Sequence, residues 1–465
     1  MIKSYDLSTV AAVSTPRGKG GIAVIRVSGP DAVSVSEKVF FPKSGKTLSE
    51  IESGRAVYGS VFSEGKAVDD GIAVIFRAPR SYTCEDTVEI SIHGGLLVTS
   101  TVLSALFSAG AEPAGPGEFT KRAFLNGRVD LTGAEAVADV IDAVSRDGLL
   151  LARSHIEGSL SRKISGTADR ITDLLAEAYV TADYPDEDLS ELSDGEFIRR
   201  AELIRDDLDA LLSTYSSGKA VTEGIPAAIV GVPNSGKSSL LNCLSGSERA
   251  IVTDVPGTTR DTIDETIVAG RAVLRLTDTA GIRETDDEVE KIGVSRAKRA
   301  ARDAELIICV IDGSRHVSDE DLRLFDWLGE LKAGSGKTVI AVVNKKDSAL
   351  FSVPPLPEFF DRVEKISALT GEGTEHLRET ISELFVDGCV DFSSDAVLSN
   401  ARQASAVGEA ARLVSGAVDA LKKGAGRDVA ALDLESAHTA LCETDGRGTV
   451  SEITDRIFSR FCVGK

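Results

Sequence analysis

The sequence predicts an α/β multidomain protein. An N-terminal α/β domain precedes an all-α helical domain, which is split by an inserted, doubly wound α/β domain with a mostly parallel sheet. Three observations predict it. Apolar strand-length runs alternate with helical patterns across residues 223–386, the signature of strands joined by crossover helices. Phe197, Ala201, Ile204, Leu208 and Leu211 fall at offsets 0, 4, 7, 11 and 14, one face of a helix. Val407, Ala411, Val414, Val418 and Leu421 repeat that spacing beyond the alternating segment.

The chain has 465 residues, too many for one ordinary core. Apolar residues make up 42% and charged residues 27%, a globular balance, and with aromatics at only 5% the cores must be mainly aliphatic. The formal net charge of -21 argues against a generally basic nucleic-acid binder, although a local basic face remains compatible with it. The basic stretches "SRAKRAAR" and "FTKRAFLNGR" are candidates for such a face, and solvated helix surfaces are the alternative. "MIKSYDLSTVAAV" lacks the apolar stretch of a signal peptide, and "LIICVI" and "VIAVV" are far too short to span a membrane. Six cysteines without a CxxC pair fit a reduced, cytoplasmic protein.

Residues 1–125 mix strand-like runs such as "GIAVIRVSG", "GIAVIFRAP" and "TVEISIHGG" with Gly-rich turns. From about 127 the period becomes helical. Val137, Val140, Ile141 and Val144 predict one apolar face, and Ile164, Ile171, Leu174, Leu175 and Ala178 another. The acidic break "YPDEDLSELSDGE" interrupts this region, and "SSGKAVTEG" reads as a linker. The expected division is therefore 1–125, 126–222, 223–386 and 387–465. The second and fourth segments are halves of one helical domain, with two separate bundles as the alternative.

The inserted domain carries the clearest chemistry. "GVPNSGKSS" follows the strand "AAIV" and opens a helix, giving G-x-x-x-x-G-K-S through Gly231, Gly236, Lys237 and Ser238. Its glycines let backbone N–H groups curl round phosphate oxygens. Lys237 brings a positive charge, and the Ser238 hydroxyl can ligate Mg²⁺. "DTAG" places Asp278 and Gly281 as a DxxG element, suited to Mg²⁺ and to sensing the γ-phosphate. "NKKD" supplies Asn344, Lys345 and Asp347; a carboxylate there accepts from guanine N1–H and the 2-amino group, which adenine cannot match. "KISAL" adds Ser367 and Ala368 as backbone contacts to the base. These motifs predict a Ras-like P-loop GTPase domain. Ile282 follows DxxG where Ras-type proteins carry the glutamine that orients water, so hydrolysis needs another group. Asn234 lies in the phosphate loop, where its amide can help to hold a monovalent cation or can simply bond within the loop.

With these residues in place, "GKGGIAVIRVSG", "SYTCEDTVEISIHGG", "GPGEFTKRAFLNGRVDLTGAEAVADVIDA", "VPNSGKSSLLN", "GTTRDT", "DTAGIRETDDEVEKIG" and the terminal "RIFSRFCVGK" closely resemble the bacterial tRNA-modification GTPases called MnmE or TrmE, over essentially the whole chain. The resemblance implies a homodimer formed through N-terminal domains of folate-binding type. It implies an FAD-containing MnmG-type partner, and tRNA whose wobble uridine receives an aminomethyl or carboxymethylaminomethyl group at C5. By matching position, it implies GTP contacts from Asn234, Ser235, Gly236, Lys237, Ser238 and Ser239 in the phosphate loop, from Thr253, Thr258 and Thr259 in the following loop, from Asp278, Thr279, Ala280 and Gly281, and from the base-binding residues. It further implies K⁺ held by Asn234, Thr253, Val255 and Thr258, Mg²⁺ held by Ser238 and Thr259, and Glu290 positioning the hydrolytic water. A 5-formyltetrahydrofolate site would use Arg26, Glu89, Arg128 and Lys465; on residue type alone the arginines read equally as surface ion pairs. Two positions depart from the family pattern: Cys84 stands where Gly is frequent, and Gly115 where an Arg is common.

The terminal "RFCVGK" raises the question of Cys462. A prenylation box wants aliphatic residues after the cysteine, and Gly464 and Lys465 do not fit. Ile457, Phe458 and Phe461 share one helix face, so the tail is expected to dock until just before Cys462. Cys462 is then either a catalytic thiol delivered to the folate site or a bystander. The main functional expectation is a tRNA-modifying GTPase. The alternative is a regulatory or ribosome-assembly GTPase with flanking binding modules.

Overall fold

A computed structural model describes residues 8–16, 18–183, 193–247, 265–276, 298–447, 451–459 and 461–464. The chain forms two compact units, one of Met1–Ala138 with Asp445–Lys465 and one of Asp139–Thr444. The fold class is the expected one: multidomain α/β, with an N-terminal α/β sheet, paired helical segments and a mostly parallel inserted sheet.

In the first unit, seven strands form one sheet: β1 (Val10–Val13), β2 (Ile22–Ser28), β3 (Phe40–Pro42), β4 (Ala56–Ser63), β5 (Lys66–Phe76), β6 (Thr87–His93) and β7 (Glu112–Pro113). Their order is β3-β4-β5-β6-β2-β1-β7, antiparallel except for the β1–β7 pair. Side chains alternate across the sheet. Ile25, Val27, Ile75, Val88 and Ile90 face a core closed by α1 (Ala32–Glu37) and α2 (Leu96–Ala109) through Val35, Val102 and Leu106. The same alternation turns Arg26 and Glu89 to the opposite face, and the β2–β6 register sets them side by side. Helix α3 (Glu118–Leu125) follows β7.

Helix α4 (Leu131–Asp142) departs from its expected face. It buries Leu131, Ala134 and Ala136, while Ile141 is 47% exposed. The reason is local packing, since Ala134 lies against Phe458 and Phe461 from the end of the chain.

In the second unit, α5 (Arg146–Ile156), α6 (Ser159–Asp183), α7 (Asp194–Ser213) and α8 (Tyr215–Thr222) precede the sheet. The stretch expected as a linker is thus mostly helix α8. Ala220 and Val221 are buried in it, and Gly218 is pressed so close to Leu398 that an added Cβ would lie 2.0 Å from its carbonyl oxygen. The six strands β8 (Ile225–Val230), β9 (Glu265–Ala269), β10 (Ala272–Leu276), β11 (Leu306–Asp312), β12 (Thr338–Asn344) and β13 (Arg362–Lys365) run in the order β13-β12-β11-β8-β10-β9. All pairs are parallel except β9–β10. Its central strands are covered on both faces, which explains their continuous apolar runs. One face packs on α9 (Lys237–Ser247) and α11 (Thr374–Phe385), the other on α10 (Asp319–Ser335).

Helices α12 (Ala401–Lys422) and α13 (Arg427–Asp445) return to α6 and α7. Phe197, Ala201, Ile204, Leu208 and Leu211 meet Val407, Ala411, Val414, Val418 and Leu421 in one aliphatic core. The final helix, α14 (Ser451–Phe458), belongs to the first unit.

Candidate functional site

Two sites emerge, one in each unit. In the second, the phosphate loop links β8 to α9. Its shape follows from close approaches that only glycine permits: a Cβ on Gly231 would lie 2.4 Å from the Val310 carbonyl oxygen, and one on Gly236 2.1 Å from Asn344 Nδ2. Asn234 takes φ +60°, a left-handed conformation that asparagine tolerates. Lys237 Nζ donates to the carbonyls of Gly231 and Val232, both at 3.0 Å, arching back over its own loop. Burial holds its pKa below the ordinary lysine value. Ser238 and Ser239 are exposed on the first turn of α9, where the positive end of the helix dipole favours anions. Ser235 is fully buried, and its Oγ has no hydrogen-bond partner among the described residues.

Asn344, at the end of β12, ties this loop to the loop that carries Ser367 and Ala368. Its Nδ2 donates to the Ser235 carbonyl at 3.0 Å, and its Oδ1 accepts from the Ala368 N–H at 2.9 Å. Asp347 Oδ1 accepts from Ser367 Oγ at 2.5 Å, which fixes a solvent-facing carboxylate at the rim. Lys345, at φ +67°, donates from Nζ to Asp312 Oδ2 at 2.6 Å. Asp312 is a site residue that motif reading missed. The β11–β12 register pairs it with Asn344. Burial works to raise its pKa, but Lys345 and the Ser314 hydroxyl and N–H outweigh this and hold it below the usual carboxylate value. Its signal in the sequence was a carboxylate at the end of the apolar run "LIICVID".

The structure thus brings Asn234, Ser235, Gly236, Lys237, Ser238, Ser239, Asn344, Lys345, Asp347, Ser367 and Ala368 into one loop cluster at the strand ends. Thr253, Val255, Thr258, Thr259, Asp278, Thr279, Ala280, Gly281, Ile282, Glu290 and Lys465 lie outside the described residues.

In the first unit, a cavity of about 460 Å³ is lined by Phe76, Pro79, Arg80, Ser81, Tyr82, Cys84, Thr87, Glu89 and Arg128. Arg26 grips Glu89 Oε1 through Nε at 2.9 Å and Nη2 at 2.8 Å. The Tyr82 ring has the Arg26 guanidinium 5.0 Å and the Arg128 guanidinium 5.1 Å from its centroid, within cation–π range of both. Arg128 also donates to the Ser81 carbonyl. Among the described residues, Arg26 Nη1 and Ser81 Oγ are buried without hydrogen-bond partners, and Ser81 is only 7% exposed. Orphaned polar atoms beside a cavity suit a ligand with its own donors and acceptors. Cys84, half-buried on the lining, has φ +60°, which gives the physical reason why glycine suits that position. Gly115 has a negative φ and room for a side chain, with a Cβ 3.6 Å from Glu118 Oε2.

Cys462 is exposed and absent from the cavity lining. The tail docks further than expected. Gly117 N–H donates to the Cys462 carbonyl at 3.3 Å, Val463 bridges to Pro116, and Ser14 Oγ donates to the Gly464 carbonyl at 3.0 Å. Among the described residues, no helix is long and apolar enough to cross a membrane.

Comparison with known proteins gives a consistent result. Residues 9–128 match the family model described as the GTP-binding protein TrmE N-terminus, and residues 131–462 match the MnmE helical domain. The tRNA modification GTPase MnmE of Moorella thermoacetica is 42% identical over 466 residues, covering 98% of this chain and 99% of that one. The same-named protein of Listeria innocua is 40% identical over 464 residues, covering 99% and 100%. Among solved structures, the G domain of the T. maritima FeoB iron transporter is 27% identical, covering 34% of this chain and 96% of that one, with a TM-score of 0.23.

Proposed function

This chain belongs to the MnmE family of tRNA modification GTPases, and from that premise we propose how its residues divide the work. The enzyme hydrolyses GTP to GDP and phosphate, with Mg²⁺, in the service of tRNA modification. The observation that carries the nucleotide assignment is Asn344, which bonds the phosphate loop at Ser235 and the base loop at Ala368 together. One residue thereby sets the spacing between triphosphate and base subsites.

On nucleotide binding, Lys237 exchanges the Gly231 and Val232 carbonyls for phosphate oxygens. Burial depresses its pKa, and anionic phosphate oxygens beside it would favour the charged form. The α9 N-terminus and the loop N–H groups take up the remaining phosphate charge. Asp347 accepts from guanine N1–H and the 2-amino group, and the Ser367 hydroxyl holds its carboxylate in place. Ser238 and Thr259 would hold Mg²⁺, which neutralises phosphate charge. Asn234, Thr253, Val255 and Thr258 would hold K⁺, which would supply positive charge beside the phosphates. Glu290 orients the attacking water in place of Ile282.

The N-terminal cavity takes a reduced folate such as 5-formyltetrahydrofolate. Glu89 suits the donor pattern of a pterin ring, while Arg26, Arg128 and Lys465 suit carboxylates. The orphaned Arg26 Nη1 and Ser81 Oγ support that fit. Cys462 acts on the one-carbon unit or the wobble uridine. Residues 1–125 then form the folate and dimerisation domain, 126–222 with 387–465 the helical domain, and 223–386 the G domain. The working assembly is a cytoplasmic homodimer with an FAD-containing partner.

The test pairs nucleotide binding with nucleoside analysis. Asp347→Asn reverses or relaxes guanine preference, since an amide N–H cannot accept from N1–H or the 2-amino group. A strain lacking the gene loses the aminomethyl-type wobble uridine, and wild type restores it. Unchanged discrimination by Asp347→Asn, or intact modification in the deletion strain, refutes the assignment. Potassium ought to raise GTP turnover above sodium in the wild type and leave Asn234→Ala indifferent. Equal turnover of the wild type in both salts removes the cation site.

A further inference from the structure

The β9–β10 hairpin occupies an unusual position in the chain. In sequence, its first strand follows "GTTRDT" and its second runs into "DTAG", so its open end joins the two loops expected to sense the nucleotide. Its closed end is the turn Gly270–Arg271, and the described residues that hold this tip lie outside the proposed nucleotide site.

Arg271 makes a distinct contact in each direction its fork allows. Nε donates to Asp147 Oδ2 at 2.5 Å, on the first turn of α5. Nη2 donates to the Val390 carbonyl at 2.8 Å, and Nη1 reaches the Asp387 carbonyl at 3.4 Å, both on the chain leaving α11 for the second helical half. The guanidinium lies 4.7 Å from the ring centroid of Phe392, itself buried. The backbone N–H of Arg271 donates to Ser382 Oγ at 3.1 Å on α11. Gly270, at φ +60°, is so close to α11 that a Cβ would lie 2.8 Å from Ser382 Cβ. Below this tip, Leu274 and Ala272 share one core with Leu151 of α5 and Ala220 and Val221 of α8.

We propose that Arg271 is a positioning residue through which the nucleotide state of the G domain is transmitted to the helical segments on both sides of it. The inference rests on reading residues 223–386 as the GTP-binding domain. The two strands pair along their whole length, five residues a side, and β10 also pairs with β8, the strand that leads into the phosphate loop. This continuous ladder links the strand ends on the nucleotide side to the tip. There Arg271 is joined at once to helix α5 of the segment before the G domain, through Asp147, and to the chain leaving that domain, through Asp387 and Val390. A lysine has one charged atom and no plane to lay on Phe392, so only arginine serves all the partners together. Coupling of this kind is reciprocal: whatever lets the nucleotide bias the helices lets the helices bias the choice of nucleotide by the same factor.

Reciprocity supplies the test. Full-length wild type, Arg271→Ala, Arg271→Lys and Asp147→Asn are compared for affinity toward GDP and toward a non-hydrolysable GTP analogue. Hydrogen exchange of residues 146–156 is followed in both nucleotide states. The wild type shows nucleotide-dependent exchange in that helix. Arg271→Ala loses the difference and shifts the ratio of the two affinities by about 5-fold or more. Asp147→Asn shifts it in the same direction, and Arg271→Lys falls between. A purely structural arginine would lower the melting temperature or weaken both nucleotides equally, leaving the ratio unchanged, and that outcome overturns the proposal. So does exchange in the wild type that ignores the nucleotide. Failure of the wild type to bind guanine nucleotides at all would instead refute the GTP-site assignment.

Discussion

Cys84 adopts φ +60°, where a β-carbon crowds the backbone. That conformation costs an ordinary residue about 1–2 kcal/mol, and glycine avoids it while losing roughly 0.5–1 kcal/mol of chain entropy on folding. Cys84→Gly should therefore raise stability by about 0.5–1 kcal/mol, read from urea unfolding. Calorimetric binding of 5-formyltetrahydrofolate should survive the change, because the thiol lines the cavity without bonding its arginines. A less stable variant would show that the sulfur packs better than its backbone suggests. Asp312 acts at the same scale in the other site. Its pKa is depressed by Lys345 and Ser314 against the opposing effect of burial, so its contribution is present above the unfolded carboxylate value. That contribution is lost as pH falls through the lower folded value. Asp312→Asn should weaken GDP binding at neutral pH and flatten the acid limb of the stability profile. An unaltered acid limb would show that the Asp312 pairing adds no pH-dependent stability, and unchanged GDP affinity would remove Asp312 from the proposed nucleotide site.

At the scale of elements, two glycines in helices make opposite predictions from the same substitution. Gly166 lies exposed in α6 with open space around it, so Gly166→Ala should stabilise by about 1 kcal/mol through helix propensity. Gly218 lies in α8 with the Leu398 carbonyl where a Cβ would go, at 2.0 Å. The same propensity gain is there outweighed by a clash with backbone, and Gly218→Ala should destabilise by about 1–3 kcal/mol. Thermal unfolding of the two variants beside wild type decides the matter, and a stabilised Gly218→Ala would mean that the α8 contact relaxes freely. This contact also explains why "SSGKAVTEG" read as a linker. Its Ser and Gly residues break the apolar period, and the partner that makes a helix of them lies far along the chain.

At the scale of the whole molecule, the last residues of the chain close onto the first. Phe458 and Phe461 pack with Ala134, and Gly464, at φ +100°, sits where a Cβ would be 2.2 Å from the Val13 carbonyl oxygen. Cys462 is thus held on both sides by docked residues while its own side chain stays exposed. If it is a reacting group, Cys462→Ser should abolish wobble-uridine modification in cells and leave GTP turnover and folding intact. Gly464→Ala, which displaces the tail but keeps the thiol, should impair modification too. Normal modified nucleoside in the Cys462→Ser strain would return the thiol to a bystander. The sequence by itself determined the phosphate-loop and NKxD motifs and the helix faces at offsets 0, 4, 7, 11 and 14, because each depends on a short contiguous segment. Tertiary structure alone decided that Arg26 meets Glu89 across 63 residues, that Lys345 leans on Asp312, and that Arg271 reaches Asp147 across 124. It also decided that the tail docks past Cys462. Those pairings follow from strand register and from which surfaces exclude water together, and no local spacing along the chain encodes either.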